Sequence, residues 1–429
     1  MNMEKQSLPE SKPVKSRVSL ANQILIGMVL GIFFGYFFPS QGVALKPLGD
    51  AFLRMIKMII VPLVFSGLIM GIAGTGDFKK MGRLGAKSII WFELVTTIAL
   101  FYGMVLANVV QPGAGVPIVQ TSDVGGIASY TSKKVDILQT FMQIIPTNIV
   151  EGLATGNLLQ IVFFSCFFGV ALAAIGEKGK IIVDIASSVM EAMFKVTNYV
   201  MKLTPIGVFA FMAFTIGKYG VAMLIPMAKL LLTLYSGLLL FIITVLMIAC
   251  YFIKVNFFQI LRVVKQPMLL AFTTASSEAA MPLIMEKLEK FGVPKHIINF
   301  VIPTGYTFNL DGASIYFCMA LLFIAQVYGI QLDISTQLMM LLTMMAMSKG
   351  VAGVAGASIV VLAGGITTFG LPMEGLFLLM AVDRFGDMGR TATNLMGNII
   401  ATLVVARWEK ELPDEVIQLA YTKNYDEIG

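Results

Sequence analysis

The first 253 residues of the chain alternate between long apolar segments and short polar connections. A helix needs about 20 apolar residues to cross the hydrocarbon core of a bilayer, and these segments are close to that length or exceed it. The polar segment from Pro112 to Glu151 interrupts the series and is expected to form an extracellular loop. The pattern predicts six membrane-spanning helices near residues 20–38, 52–74, 88–110, 157–176, 190–216 and 223–253.

Two apolar stretches in the second half are interrupted in the middle by small and polar residues. Phe257–Lys290 is interrupted at Thr273–Pro282, and Asp333–Leu371 is interrupted at Ser348–Ser358. Basic residues flank both ends of the first stretch, so we expect it to enter from the cytoplasm and return, whereas the second enters from outside. Backbone freed at the interruptions needs partners other than lipid, which substrate or ions can supply. Small-residue packing between helices is the alternative.

Each interrupted stretch is followed by an apolar helix that carries polar side chains. Two such units with opposite entry directions form an inverted repeat, which points to a secondary-transporter site near the membrane midplane. A charge at bilayer depth costs at least ~2.5–3.5 kcal/mol, so these side chains should face a protein interior; an interhelical salt bridge is the alternative. Asn309 and Asp311 follow the first stretch. After the second, an arc of roughly 100° on one helix carries Asp383, Asp387, Arg390, Thr391, Asn394 and Asn398.

Composition and charge distribution favour an all-α polytopic membrane protein, with eight transmembrane helices and two re-entrant helical hairpins. Apolar residues make up 57% of the 429 residues, charged residues make up 13%, and the mean hydropathy is +0.84. Lysine and arginine cluster after the second, fourth and sixth spans, which predicts cytoplasmic termini. The net charge of +6 is therefore a topology signal, and no nucleic-acid partner is expected. Three separated cysteines indicate neither a disulfide framework nor a metal site.

The polar residues of the last helix match the requirements of an acidic amino acid. Arg390 offers a planar fork for a carboxylate, and Asp387, about one turn earlier, suits an ammonium group. Thr391 and Asn394 continue the same face and can bind a second carboxylate. Backbone amides at Ser276, at Ser277 and in Val354–Ser358 can assist them. These groups together predict a site for glutamate or aspartate.

A second set of residues suits a coupling cation, H⁺ or Na⁺, with no other cofactor. Asn309, Asp311 and Asn398 are hard oxygen donors for an alkali ion such as Na⁺. Glu93 lies in the third apolar run, where we expect burial and where a titratable carboxyl can carry a proton across the bilayer. An ion-paired structural carboxylate is the alternative for Glu93. Nothing in the sequence indicates an enzyme: the sole histidine, His296, lies outside the apolar runs.

From about residue 20 to residue 411 the chain closely resembles the dicarboxylate/amino acid:cation symporter family, the bacterial relatives of the glutamate transporters. Four motifs carry the resemblance: Ala275–Pro282, Pro303–Gly312, Ser348–Val354 and Asp383–Arg390. The resemblance implies a homotrimer in the bacterial cytoplasmic membrane, with an elevator-type transport domain gated by the two hairpins. The implied organisation is a cytoplasmic tail (1–18), six spans that are mainly scaffold but contribute the third span to transport (19–253), a transport core (254–411) and a cytoplasmic tail (412–429).

The resemblance also implies a role for particular residues. Asp387 matches the carboxylate that binds the substrate amine, and Arg390 the guanidinium that binds the side-chain carboxylate. Arg384, with Asp383, is expected to support the site in place of a hairpin arginine that other members have at Ala275. The remaining implied substrate residues are Ser276, Ser277, Val354, Gly356, Ser358, Thr391 and Asn394. The implied cation or proton residues are Glu93, Thr96, Thr97, Gly305, Asn309, Asp311, Asn394 and Asn398.

Departures from the sodium-dependent pattern decide the expected coupling ion. Asn398 replaces an aspartate of one sodium site and Glu93 replaces an aromatic residue of another, as in the proton-linked glutamate carriers. Phe317 stands where vertebrate relatives place a proton-binding glutamate, and Ala313 lacks a hydroxyl that often touches substrate. The expected function is proton-coupled uptake of L-glutamate or L-aspartate. Sodium or mixed coupling and C4-dicarboxylate uptake remain alternatives, although dicarboxylate carriers typically lack an aspartate at Asp387.

Overall fold

The computed structural model describes residues 20–73, 78–115, 145–349 and 357–422, and every regular element in these ranges is helical. The predicted N-terminal tail and most of the predicted extracellular loop lie outside them. Five described segments are long and apolar enough to cross a membrane, which agrees with a multi-pass protein. They are Pro39–Met70, Arg83–Val110, Gln160–Met201, Val221–Phe252 and Lys295–Val327.

The first half of the chain supplies ten of the described α-helices. A π-helical turn, Ile242–Leu246, joins the last two of them into one continuous rod. The helices are α1 (Leu20–Phe37), α2 (Pro39–Ala44), α3 (Lys46–Ala73), α4 (Phe78–Val110), α5 (Ile149–Thr155), α6 (Leu158–Ile175), α7 (Lys180–Met201), α8 (Thr204–Tyr219), α9 (Leu224–Phe241) and α10 (Met247–Phe252).

The predicted fifth span, residues 190–216, is wrong in its boundaries. The structure ends α7 at Met201 and begins α8 at Thr204, so two helices share the predicted segment. Pro205 lies in the first turn of α8, where its missing N–H costs no intrahelical hydrogen bond. The hydropathy pattern did not reveal this break, because the segment is apolar on both sides of it. Hydropathy measures how apolar the side chains are and does not show where a helix ends.

Glycines allow α1 to lie directly against α8. A Cβ at Gly27 would lie 2.5 Å from the carbonyl oxygen of Pro205, and a Cβ at Gly31 would lie 2.6 Å from that of Phe209. Gly35 makes the same approach to Ala213. Small residues at four-residue spacing let helix backbones approach closely in membranes. Helices α1, α2, α3, α6, α7 and α8 are in contact with one another, and we call them the peripheral set.

The second half of the chain supplies the remaining eight described helices. The two interrupted stretches each become a pair of short helices that pack against each other. The helices are α11 (Phe257–Thr274), α12 (Ser277–Phe291), α13 (Lys295–Phe308), α14 (Asp311–Val327), α15 (Ile334–Ser348), α16 (Ala357–Thr368), α17 (Gly375–Trp408) and α18 (Asp414–Tyr421).

We call helices α11 to α17 the inner set, and helix α17 lies at its centre. It packs against α11, α13, α14 and α16, and also against α4 and α9 from the first half. The sixth predicted span, which contains α9, therefore contacts the inner set, whereas the predicted organisation drew only the third span into the transport domain. The division at residues 253 and 254 stays a prediction.

Two backbone breaks position the polar residues of the inner set. Ala275 has a positive φ of 51° between α11 and α12, which turns the chain back within two residues. Asn309 and Leu310 are non-helical and separate α13 from α14. The sequence predicted the first break. It did not predict the second, because Asn309 and Asp311 were assigned to a continuous helix.

The predicted C-terminal tail contains the short helix α18, which packs against α12. Arg407 holds it in place: Nε donates to the carbonyl of Ile253 at 2.9 Å, and Nη1 donates to that of Leu412 at 2.7 Å. The guanidinium also pairs with Asp414 at 2.5 Å, and this hydrogen bond holds the pKa of the Asp414 carboxyl below its usual value.

Candidate functional site

Arg390 is a buried guanidinium held by two carboxylates of its own helix. Its Nη2 donates to Asp383 Oδ1 at 2.7 Å and to Asp387 Oδ1 at 3.0 Å. Residues three and seven positions apart share one face of a helix, so α17 alone brings the three side chains together. The guanidinium carbon lies 4.1 Å from the centre of the Tyr316 ring of α14. The predicted polar face is therefore assembled, and it points into the inner set.

Two hydrogen-bond donors of Arg390 remain available. The side chain is 1% exposed, and Nε and Nη1 are buried with no partner. A buried donor without a partner carries a free-energy cost of roughly 1–3 kcal/mol, more for a charged group, so native proteins usually provide a partner. A carboxylate that accepts from Nη1 or from Nε would satisfy one of these donors with a charge-assisted hydrogen bond. Asp387, by contrast, is 33% exposed and can be reached from outside the protein interior.

Asn394 has a structural partner that the sequence did not reveal. Its Oδ1 accepts from the backbone N–H of Gly312 at 2.7 Å and from that of Ala313 at 3.2 Å. The side chain thereby satisfies two orphan donors in the first turn of α14. Thr391, one turn earlier on the same face, is also buried.

The connection between α11 and α12 lies close to α17. Arg384 Nη1 donates to the carbonyl of Thr274 at 3.2 Å, at the C-terminal end of α11. Ser276 and Ser277 follow within three residues, so the guanidinium lies beside the predicted serine tip. Of the residues predicted at the second tip, Ser358 is half-buried in the first turn of α16, and Val354 and Gly356 lie outside the described residues.

Three buried side-chain oxygens without a hydrogen-bond partner lie where α13, α14 and α17 meet. Asn309 Oδ1, Asp311 Oδ1 and Asn398 Oδ1 are all buried without a hydrogen-bond partner. Asn309 Nδ2 donates to Asp311 Oδ2 at 3.1 Å. A Cβ at Gly397 would overlap Asp311 Oδ2, and a Cβ at Gly305 would overlap Asn398 Oδ1, so each oxygen lies against the facing backbone. We call these three residues the oxygen cluster.

The oxygen cluster fits a monovalent cation. It contains one carboxylate, and no group of three His, Cys, Asp or Glu side chains suited to a metal occurs in the part of the chain that the structure describes. Broken helices in membranes bind Na⁺ or H⁺ with this kind of donor set. Thr96 Oγ1 is also buried without a partner, on the helix α4 that packs against α13, α14 and α17.

Glu93 is placed differently from the expectation of a buried, isolated carboxyl. It is 39% exposed, and its Oε1 lies 3.0 Å from the ammonium of Lys349. Thr97 Oγ1 donates to the Glu93 carbonyl at 2.6 Å, so it is engaged within α4. The structure therefore contains the ion pair that the alternative expected, while the proton-carrying role of Glu93 stays a prediction. Sequence reasoning missed Lys349, although a lysine inside an apolar stretch is itself a signal.

The chain is similar to known transport proteins over almost its whole length. The profile described as "Sodium:dicarboxylate symporter family" matches residues 20–408. The chain is 47% identical over 407 residues to the proton/sodium-glutamate symport protein of Bacillus caldotenax, covering 93% of this chain and 96% of that protein. It is 44% identical over 422 residues to the proton/glutamate-aspartate symporter of Escherichia coli (strain K12), covering 95% of this chain and 96% of that symporter. It is 41% identical over 400 residues to the C4-dicarboxylate transport protein of Bacillus subtilis (strain 168), covering 92% of this chain and 95% of that protein.

Proposed function

Because the chain belongs to the sodium:dicarboxylate symporter family, we propose that it takes up L-glutamate and L-aspartate together with protons. Membership of this family makes the protein a secondary transporter and not an enzyme. The relatives named above include symporters of glutamate and of glutamate and aspartate.

The observation that carries the substrate assignment is the buried Arg390 with two unpartnered donors beside the accessible Asp387. The side-chain carboxylate of the substrate accepts from the free Nη1 of Arg390, and the ammonium group pairs with Asp387. The α-carboxylate binds Thr391, the Nδ2 of Asn394 and the tips of the two helix pairs. The proposed tip residues are Ser276, Ser277, Val354, Gly356 and Ser358.

The proposed architecture follows the family expectation. Eight spanning helices and two re-entrant hairpins, α11–α12 and α15–α16, form a homotrimer in the bacterial cytoplasmic membrane with both termini in the cytoplasm. The inner set moves against the peripheral set and carries the substrate across the bilayer. Support comes from the packing, since the polar residues lie on helices of the inner set and the glycine contacts of α1 and α8 lie in the peripheral set.

Proton coupling is favoured by the charge of the oxygen cluster. An asparagine, Asn398, supplies a neutral oxygen where sodium-dependent members have an aspartate, so Asp311 is the single carboxylate of the cluster. Glu93 supplies a second titratable carboxylate nearby, already paired with Lys349. Sodium or mixed coupling is the second candidate, since one relative carries both ions in its name.

Uptake of C4-dicarboxylates is the competing substrate class, because relatives with that name are 41–43% identical to the chain. A dicarboxylate has no ammonium group, so it would place its second carboxylate near Asp387 without a compensating charge. Like charges at close range repel each other strongly in a low-dielectric site. Asp387 therefore favours amino acids over dicarboxylates.

Uptake into proteoliposomes with independently imposed ion gradients tests the proposal. We expect an inward proton gradient to drive accumulation of radiolabelled glutamate and aspartate with choline in place of sodium. Vesicles with Arg390→Ala protein provide the negative control, because this variant lacks the carboxylate donors. Uptake that requires a sodium gradient and ignores an imposed pH gradient would contradict proton coupling. Faster accumulation of succinate than of glutamate would contradict the substrate assignment.

A further inference from the structure

Lys349 reaches from the end of α15 to the broken end of α13. Its Nζ donates to the carbonyl oxygen of Phe308 at 2.7 Å and lies 3.0 Å from Glu93 Oε1 of α4. The side chain is 13% exposed, so the ammonium has exchanged most of its water for these protein partners. One side chain thus links three helices beside the oxygen cluster.

The position of this ammonium is one that suits a coupling cation. Phe308 is the last residue of α13, and the final carbonyls of a helix lack intrahelical donors. The C-terminal end of a helix also carries a partial negative charge. Where a membrane helix is broken, such half-helix ends and unwound carbonyls coordinate Na⁺ or H⁺. In this chain a covalently tethered cation occupies such an end.

The local charge balance supports the same conclusion. The carboxyl groups that act on the Lys349 ammonium, among the described residues, are Glu93 and Asp311. Two carboxylates against one ammonium leave a net charge of −1, which one monovalent cation neutralises. Without the lysine the same carboxylates would leave a net charge of −2 and would favour an additional cation.

We propose that Lys349 is a specificity-determining residue for ion coupling: its ammonium substitutes for a sodium ion at the end of α13. The inference rests on the proposed symport function. The substitution explains why the chain keeps the buried oxygens of a cation site although Asn398 stands where sodium-dependent members have an aspartate. Lys349 supplies one positive charge permanently, so one carboxylate fewer is needed. The substitution also gives Glu93 a role in holding that charge.

Sodium binding to purified Lys349→Met protein tests the inference. We expect the variant to bind about one more sodium ion per protomer than the wild type. The sodium affinity at this site should be at least about tenfold higher in the variant than in the wild type. Equilibrium dialysis with radioactive sodium gives the stoichiometry. Melting temperatures in NaCl and choline chloride at equal ionic strength report binding without any transport assay, because a ligand of the folded state raises the melting temperature.

Three further variants separate a tethered cation from a structural lysine. Lys349→Arg keeps the charge and should show no gain in sodium binding. Lys229→Met removes an exposed lysine of α9 and should behave as wild type. Lys349→Ala should be stabilised by n-propylammonium, which replaces the missing atoms beyond Cβ, and this stabilisation should be absent in the wild type.

The proposal is overturned if folded Lys349→Met responds to sodium as the wild type does, or if its lower stability is equal in sodium and choline. Should the Lys349 variants fail to fold, the wild type still decides: binding of two or more sodium ions per protomer would exclude a built-in replacement. Wild-type vesicles without proton-driven glutamate uptake would contradict the proposed function alone, because the sodium-binding measurements do not depend on transport.

Discussion

At the residue scale, the site combines a fixed cation with two carboxylates of unequal exposure. Asp383 and Asp387 both contact Arg390 through the same Nη2, but Asp383 is 18% exposed and Asp387 is 33% exposed. The two aspartates therefore have separable roles. Asp383 is the closer partner of the guanidinium, and Asp387 is the more exposed one, which we propose pairs with the substrate ammonium.

This difference predicts unequal effects of two matched substitutions. Asp387→Asn should weaken glutamate binding by about 10- to 150-fold, because a charge-assisted hydrogen bond contributes roughly 1.5–3 kcal/mol, and should strengthen succinate binding, because it removes a carboxylate that repels a dicarboxylate. Asp383→Asn, the control, should weaken both ligands alike through the orientation of Arg390. Calorimetric titration of both ligands measures the ratio. Equal losses of glutamate and succinate in Asp387→Asn would assign that residue a structural role.

At the element scale, the site depends on how closely α17 approaches the break between α13 and α14. Glycine makes this approach possible on both sides: Gly397 faces Asp311, and Gly305 faces Asn398. Gly389 and Gly386 of the same helix contact α9 side chains instead. The glycines of α17 therefore differ in what they touch, although their sequence contexts are alike.

Gly397→Ala should disable the oxygen cluster without breaking α17. The new methyl group would overlap Asp311 Oδ2, so the carboxylate must move, even though alanine favours a helix interior by roughly 0.5–1 kcal/mol. We expect glutamate uptake to fall at least about tenfold while the protein stays folded. Gly386→Ala is the control, because its Cβ would meet one flexible methyl group of Leu234 at 3.1 Å. Normal uptake by Gly397→Ala would show that the cluster plays no part in coupling.

At the scale of the whole molecule, two kinds of packing coexist. The peripheral set contains backbone-to-backbone contacts through the glycines of α1. The inner set surrounds polar side chains whose partners come from α4, α13, α14, α15 and α17. We therefore expect larger side chains in the peripheral set to lower the stability of the protein. Substitutions of the polar residues in the inner set should instead lower transport.

Gly31→Ile tests the first half of this statement. An isoleucine side chain cannot fit where a Cβ already lies 2.6 Å from the Phe209 carbonyl, so α1 must separate from α8. We expect a lower melting temperature in detergent, with a cost of about 1–3 kcal/mol as for other overpacked contacts, and unchanged glutamate affinity in the remaining folded protein. Leu30→Val, at a 54% exposed neighbouring position, is the control. A drop in affinity without a drop in melting temperature would contradict the separation of the two sets.

The sequence by itself determined the membrane class, the helical composition and the polar face of α17. Apolar length and charge placement act locally along the chain, and residues 383, 387 and 390 share a face through helix geometry alone. The first hairpin break was readable because its Ser- and Thr-rich segment cannot continue an apolar run.

The tertiary structure alone decided the partners of the polar side chains. Asn394 is 82 positions from the N–H of Gly312 that it accepts from, and Lys349 is 256 positions from Glu93. Periodicity describes which way a side chain points from its own helix, but it does not describe which helix lies opposite. The break at Asn309–Leu310 is of the same kind, because its orphaned backbone and oxygen atoms are tolerated only where α17 and α15 supply contacts across the gap. Pairing between distant segments is set by packing, and packing is a property of the folded chain.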